Sequence, residues 1–167
     1  MVEALNESEI DYVVNSLPLK VVDPVVWTDT SPRFRSRVPV VASGSLAASL
    51  VLDLSIPRTV VPGKYTYQLR QLDGPVLRRL DVRGSHRNRQ HTGSSEVWHH
   101  RTHKHTHRDV CEDAFAYTPT DIPATSSPAS HPEPGEHEAV YLAFCEECGI
   151  EAAGTWVDPW DLVGEAP

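Results

Sequence analysis

The sequence contains few of the residues that mark secreted, disulfide-bonded proteins. Its 167 residues include three cysteines, Cys111, Cys145 and Cys148. A small, odd number of cysteines does not build the disulfide framework of a small extracellular domain. The first residues also lack the basic and apolar segments of a secretory signal. Together these features predict a reduced, cytoplasmic setting.

Long apolar runs are missing as well. The most apolar stretch, residues 38–56, is interrupted by Pro39, Gly44 and Asp53 among others. A membrane-spanning helix needs about 20 consecutive, mainly apolar residues. We therefore expect no transmembrane segment and no membrane partner.

The hydrophobic content of 40% is enough for one ordinary core. Near the N-terminus, Asn6 with Glu9 three positions later has the pattern of a capping box, and the apolar residues that follow have helical spacing. Residues 18–45 are rich in proline, which indicates extended pieces and turns, with a strand expected at 19–26.

From Leu46 the pattern changes to short β-type runs separated by turn residues. Asp73-Gly74 between residues 64–72 and 76–84 predicts an antiparallel hairpin. Residues 118–137 are rich in proline, serine and threonine and predict a mobile loop, and residues 137–150 predict a last helix that stops at Gly149. We expect one α+β domain over residues 1–167, with a central antiparallel sheet of four to six strands, an N-terminal helix and a C-terminal helix.

Histidine is the most unevenly distributed residue. Seven of the nine histidines lie between His86 and His107, and His103, His105 and His107 alternate in the heptapeptide HTHKHTH. In a strand, side chains repeat every second residue, so these imidazoles would share one face while Thr102, Lys104 and Thr106 take the other. Because imidazole titrates near neutrality, this row predicts a metal site, an acid/base site or an anion-binding surface.

Charge is also distributed unevenly. The chain has a formal net charge of -8, but residues 78–108 hold eight Lys or Arg against Asp81 and Glu96. That segment is +6 and the remainder is -14, which favours a basic pocket for a few phosphates over a broad DNA-coating surface. Within the 76–84 strand, alternation places Leu77, Arg79, Asp81 and Arg83 on one face. A second hairpin, residues 101–107 with 114–119, would bring Arg79 and Asp81 onto one sheet with the histidine row.

Several phrases of the sequence resemble an uncharacterised bacterial and phage family of small proteins that are predicted toxin components or phage cargo. The similar segments are LNESEIDYVVN (5–15), KYTYQ (64–68), RLDVRGSHRN (79–88), THKH (102–105), DAFAY (113–117) and FCEECGI (144–150). The pattern Tyr-x-Tyr, Arg-x-Asp, His-x-Asn and His-x-His also resembles TumE-type toxins of toxin-antitoxin pairs. The chain departs from the family in its insertion at 118–137 and in its extra histidines, which are His91, His99, His100 and His107.

The resemblance implies a small α+β protein with a shared site but no stated reaction. The site residues that it implies are Arg79, Asp81, His86, Asn88, His103 and His105. We expect a toxin-like, metal-independent ribonuclease, or another phosphate-ester enzyme without a cofactor, with His103 and His105 as general acid and base. RNA and a cognate antitoxin or another protein are the expected partners. The candidate substrate-binding residues are Arg83, Asn88, Lys104 and Tyr117.

Two other classes of function stay open at this point. His103, His105 and His107 with Asp81 could hold catalytic zinc or non-haem iron, since three protein ligands, or two histidines and a carboxylate, are typical of those metals. Alternatively, the chain is a non-catalytic binding partner in a toxin-antitoxin or phage-host pair. Cys145-x-x-Cys148 stands alone within a predicted helix and is interpreted as two ordinary thiols.

Overall fold

The described residues form eight strands, two α-helices and one 3-10 helix. The computed structural model describes residues 5–42, 49–58, 64–87, 97–106 and 135–163, with backbone alone at 85–87, 97–106 and 163. In chain order the elements are α1 (Glu7–Asn15), β1 (Leu19–Lys20), β2 (Thr28–Asp29), β3 (Arg33–Ala42), β4 (Leu50–Pro57), β5 (Tyr65–Gln71), β6 (Val76–Arg87), β7 (Val97–Thr106), α2 (Glu136–Glu147), β8 (Ile150–Glu151) and the 3-10 helix Pro159–Val163.

The strands join into one sheet in the order β7-β6-β5-β4-β3-β1-β8, and β2 pairs with β3 beside this path. Strands β3 to β7 pair with their neighbours in antiparallel fashion, whereas β1 and β8 are parallel. The chain is therefore an α+β domain, as expected. The sheet is larger than the expected four to six strands and is mixed, because β1, β2 and β8 are two-residue strands too short to show a periodic pattern.

One face of the sheet is apolar and carries the core. Alternate residues of β3 to β6 are buried in a single cluster to which both helices contribute. The members from β3 to β6 are Phe34, Val38, Val40, Leu50, Leu52, Leu54, Ile56, Tyr65, Tyr67, Leu69, Leu77, Leu80 and Val82, and the helix members include Val13, Val14, Val140, Tyr141 and Phe144. Because a shift of one residue would move these buried side chains to the opposite face, their alternation fixes the register of the strands.

The opposite face of β3 to β6 is polar. Its side chains are Arg33, Arg35, Arg37, Asp53, Ser55, Thr66, Gln68, Arg70, Arg79 and Asp81. We call this set the polar face. Its arginines, serine, threonine and glutamine are half-buried or exposed, in contrast to the buried residues that alternate with them.

Proline in the middle of β3 is accommodated by a gap in strand pairing. Pro39 pairs with Val51 of β4, whereas on its other side β1 pairs with Val41 and Ala42 and β2 pairs with Phe34 and Arg35. On that side no described residue is registered with Pro39, which is the edge-like position where a residue without an N–H donor is tolerated in a sheet. The proline-rich composition of 18–45 therefore concealed a ten-residue strand.

Several predicted elements are confirmed. Asn6 caps α1, because its side chain accepts a hydrogen bond from Glu9 N while the Glu9 carboxylate accepts one from Asn6 N. The turn at Asp73-Gly74 joins β5 to β6 with Asp73 at φ 58°. The last helix is α2, which is followed by Gly149 at φ +68°.

Other predicted elements differ from the structure or lie outside it. The expected strand at 19–26 is limited to Leu19–Lys20. Strand β6 continues to Arg87, beyond the predicted end at residue 84, and β7 begins at Val97. The expected strand 114–119 and most of the loop at 118–137 lie outside the described residues. Neither described helix combines the length and apolar character needed to cross a bilayer.

Candidate active site

The register between β6 and β7 brings together four of the predicted site residues. Arg79 is the Cα partner of His105, and Asp81 is the Cα partner of His103. Directly opposed residues of an antiparallel pair have Cα atoms about 4.5 to 5.5 Å apart. The Arg-x-Asp and His-x-His motifs therefore lie opposite each other on neighbouring strands.

Asp81 is a buried carboxylate that lies close to the polar side chains of Thr66, Arg79 and Lys64. The residue is 2% exposed. Thr66 Oγ1 donates a hydrogen bond of 2.7 Å to Asp81 Oδ1, Arg79 Nη2 lies 3.0 Å from the carboxylate, and Lys64 Nζ lies 3.6 Å from it. Burying an unpaired carboxylate would be costly. Two cations and a hydroxyl offset that cost and fix the orientation of the carboxylate.

Arg83 lies on the other side of the sheet from Arg79 and Asp81. The β6–β7 register shifts between Asp81 and Gly84, and Arg83 adopts φ 53° at this irregularity. Its guanidinium is buried against α2, where Nη2 lies 2.7 Å from Glu136 Oε1. The prediction that Arg83 shares a face with Arg79 and Asp81 is therefore wrong, because a β-bulge breaks the alternation of side chains.

The same buried cluster includes Tyr65 and His137 but belongs to the core face. The Tyr65 hydroxyl donates a 3.1 Å hydrogen bond to Glu136 Oε1, and burial, followed by the charge of Glu136, raises the pKa of Tyr65 far above its usual range. The His137 ring packs edge-on against Tyr65 at 4.7 Å, and burial lowers the pKa of His137. This described histidine is neutral near pH 7 and is not part of the polar face.

Two other predicted residues, His86 and Lys104, pair with residues other than Arg79 and Asp81. His86 pairs with Trp98, five residues along β6 from Asp81 and beyond two register shifts. At about 3.3 Å per residue this is roughly 16 Å from Asp81. Lys104 is the Cα partner of Leu80, which belongs to the core face. Three predicted residues, Asn88, His107 and Tyr117, lie outside the described residues.

A groove crosses the polar face beside Asp81. It has a volume of about 470 Å³. The lining residues are Thr28, Arg35, Ser36, Arg37, Asp53, Leu54, Ser55, Thr66 and Gln68. Sequence reasoning missed this feature, although the alternating arginines of RFRSR at 33–37 were a signal for a basic strand face.

The arginines of β3 differ in their electrostatic partners. Arg37 Nε lies 2.7 Å from Asp53 Oδ1, and this hydrogen bond and charge raise the pKa of Arg37. Arg33 instead donates to the Ser55 hydroxyl at 2.6 Å and to the carbonyl oxygens of Ser55 and Lys64. Burial, and then the charge of Arg35, lowers the pKa of Arg33. Of the two arginines that line the groove, Arg37 is paired with Asp53, so the charge of Arg35 is in excess at the β3 side of the groove.

A protein-family model, described as a family of unknown function (DUF6978), matches residues 5–150. The chain belongs to DUF6978. The match runs from just before α1 to the first residue of β8 and includes all the residues of the candidate site. No curated protein and no solved structure matches this DUF6978 chain.

Two features of this DUF6978 chain bear on metal chemistry. Among the described side chains, no group of three His, Cys, Asp or Glu residues is placed to hold a metal ion. The side chains of His103 and His105 are not among those described, because only the backbone is described at 97–106. Cys145 and Cys148 are buried and form no disulfide within the described part of the chain, and burial raises the pKa of Cys145 to about 12. Cys145 is therefore protonated near pH 7, and a thiol in that state is a poor metal ligand.

Proposed function

We propose that this chain is a toxin-like, metal-independent ribonuclease that uses His103 and His105 as general acid and base. The observation that supports this most is the β6–β7 register, in which His103 is opposite Asp81 and His105 is opposite Arg79. Two residues able to transfer protons are thereby next to a fixed carboxylate and a cation. Such a set suits reactions at a phosphodiester, where protons move and negative charge accumulates.

The proposed reaction is a transesterification within the RNA chain. One neutral imidazole takes the proton of a ribose 2'-hydroxyl, and the 2'-oxygen forms a bond to phosphorus. The bond between phosphorus and the 5'-oxygen breaks, and the second histidine, as imidazolium, gives its proton to that oxygen. The products are a 2',3'-cyclic phosphate and a 5'-hydroxyl. Each proton-transfer role contributes about a hundred- to ten-thousand-fold in rate.

Asp81 and Arg79 have separate roles in this proposal. Asp81 is a positioning residue that orients an imidazole and stabilises its charged form, as carboxylates beside functional histidines do. Thr66 and Lys64 support it by holding the carboxylate. Arg79, whose side chain is 36% exposed, offers its remaining N–H donors to the phosphate oxygens that gain charge in the transition state.

The biological setting of the proposal comes from the motifs. The Arg-x-Asp and His-x-His pairs are the segments that resemble TumE-type toxins, and they are the segments that the register places opposite each other. A cytoplasmic ribonuclease of this kind would require a cognate antitoxin protein to restrain it.

The test is incubation of the purified protein with total RNA, with and without EDTA. The wild type is compared with His103→Ala/His105→Ala and with Thr102→Ala/Thr106→Ala, a control that alters the alternate positions of the same strand. We expect cleavage that persists in EDTA, is lost in the histidine variant by at least about a hundredfold, and is kept in the threonine variant. Cleavage abolished by EDTA would favour a metal enzyme, and intact RNA in every sample would favour a non-catalytic binding protein.

A further inference from the structure

We infer that the groove between β3 and β5 binds a nucleotide of single-stranded RNA adjacent to the bond that is cleaved. This inference rests on the proposed function, because it assigns the substrate class and a subsite to the same polar face. Arg35 would bind a phosphate of the RNA at one end of the groove. Arg79, beside the proposed cleavage site, would lie at the other end of the bound RNA.

The charge on the groove wall favours a phosphate. Arg35 is exposed at the centre of the β3 arginine row, and within the described parts of the chain it makes no ion pair. Its neighbour Arg33 is bonded to neutral oxygens, which fix its guanidinium without cancelling its charge. The polar face thus presents uncompensated positive charge in a chain whose formal net charge is -8. That contrast gives local attraction for a few phosphates without broad attraction for polyanions.

Thr66 and Gln68 make the groove continuous with the proposed active site. Both side chains line the groove. Thr66 also donates its hydroxyl hydrogen to Asp81, and Gln68 is the Cα partner of Arg79. The path from β3 to β6 crosses three strand spacings, or about 14 Å. One extended RNA strand can therefore contact Arg35 and Arg79 at the same time.

The dimensions favour a single strand over a duplex. A volume of about 470 Å³ is in the range of small-molecule pockets and is comparable to one nucleotide. A duplex keeps its bases stacked inside and cannot place one in a groove of this size, whereas an unpaired nucleotide can enter. Ser55 already accepts from Arg33 and Thr66 already donates to Asp81, which leaves the Ser55 hydroxyl hydrogen, an acceptor site on Thr66 Oγ1 and the Gln68 amide for its sugar and base.

The lining also predicts how the strand is recognised. No aromatic side chain is among the lining residues of the groove. Base stacking on an aromatic platform, the usual source of sequence-tolerant affinity, is therefore not part of this subsite. Phosphate contacts supply most of the affinity, and binding should be strongly dependent on salt.

The experiment measures fluorescence anisotropy of a labelled single-stranded oligodeoxynucleotide, which lacks the 2'-hydroxyl and cannot undergo the proposed reaction. We expect Arg35→Ala to weaken binding roughly tenfold. The slope of log affinity against log salt should become shallower by about 0.7, the value for one lost phosphate contact on a single strand. Arg35→Lys should restore part of the affinity. Lys20→Ala, which removes one exposed cation beside Glu151, should bind as the wild type does.

The inference is overturned if Arg35→Ala binds as tightly as wild type, if Lys20→Ala weakens binding equally, or if a duplex of the same sequence binds as well as the single strand. The proposed function fails independently. A wild type that binds the oligonucleotide through Arg35 but leaves RNA intact would support the groove and contradict the nuclease. RNA cleavage with no effect of Arg35→Ala on binding would support the nuclease and contradict the groove.

Discussion

At the scale of single residues, Asp81 is the side chain on which the polar face depends most. It is buried, yet Lys64, Thr66 and Arg79 all direct donors at its carboxylate. Its strand position also makes it the partner of His103. A carboxylate that served folding alone could be replaced by a neutral residue with a loss of stability and no separate loss of function.

The variant Asp81→Asn tests whether Asp81 serves folding alone or also serves the proposed reaction. The amide keeps the shape and can still accept from Thr66, but it leaves the charges of Arg79 and Lys64 without their anion. We expect the free energy of unfolding to fall by about 1 to 3 kcal/mol. RNA cleavage by the folded protein should fall by about ten- to a hundredfold. Urea unfolding and initial cleavage rates measure the two effects on one preparation.

The matched control for this variant is Glu151→Gln. Glu151 is an exposed carboxylate that lies 2.8 Å from Lys20, on β8 at the far end of the sheet from β6. Glu151→Gln should lower the free energy of unfolding by under about 1 kcal/mol and leave RNA cleavage unchanged. Wild-type cleavage by Asp81→Asn would remove Asp81 from the site, whatever its effect on stability.

At the scale of elements, the contact between β6 and α2 depends on a buried ion pair. Arg83 Nη2 and Glu136 Oε1 are 2.7 Å apart with side chains that are 2% and 5% exposed. Tyr65 donates to the same carboxylate and lies under the Arg83 guanidinium. The pair fastens the first turn of the helix to the strand that carries Arg79 and Asp81.

Removing one partner of this pair should be costly, because the other charge then stays buried. We expect Arg83→Met to lower the free energy of unfolding by about 3 to 5 kcal/mol, and Arg83→Met/Glu136→Leu to recover much of that loss. Lys20→Ala, which breaks an exposed pair, should change it by less than about 1 kcal/mol. Denaturant unfolding of the wild type and of the three variants is the measurement. A loss below 1 kcal/mol in Arg83→Met would show that the pair does not fasten α2 to β6.

The sequence was informative about elements wherever a pattern was regular. The capping box at Asn6, the turn at Asp73-Gly74 and the helix before Gly149 each have a local physical cause that can be identified in the residues. These three features need no information about distant parts of the chain. The sequence also predicted that Arg79, Asp81 and the histidine row share one sheet, but it did not predict that β6 and β7 pair directly or in which register.

The sequence was misleading where the alternation of a strand is broken. Leu77 and Arg83 were predicted to share a face with Arg79. However, the β5–β6 register is irregular beside Leu77, and the β6–β7 register is irregular beside Arg83. Leu77 is buried in the core, and Arg83 is buried against α2. Bulges of one residue have no sequence signature as strong as a turn. The basic row of β3 was missed because the proline-rich composition of 18–45 disguised the strand.

In the whole molecule, the residues that stabilise the fold and the residues of the proposed reaction lie on opposite faces of one sheet. Its apolar face holds the core, including the aromatic contacts of Tyr67 with Tyr141 and Phe144 on α2. Its polar face holds the groove and the Arg79–Asp81 pair, and neither helix contributes a residue to the groove lining. This division explains how a chain with a net charge of -8 can present a basic surface.

The chemical ends of the products show whether this polar face cleaves RNA by histidine acid/base chemistry. A defined oligoribonucleotide is incubated with the purified chain in EDTA, and the masses of the fragments are measured by mass spectrometry. We expect a 2',3'-cyclic phosphate on the upstream fragment and a 5'-hydroxyl on the downstream one. Fragments with 3'-hydroxyl and 5'-phosphate ends, or an oligonucleotide that stays intact, would contradict it.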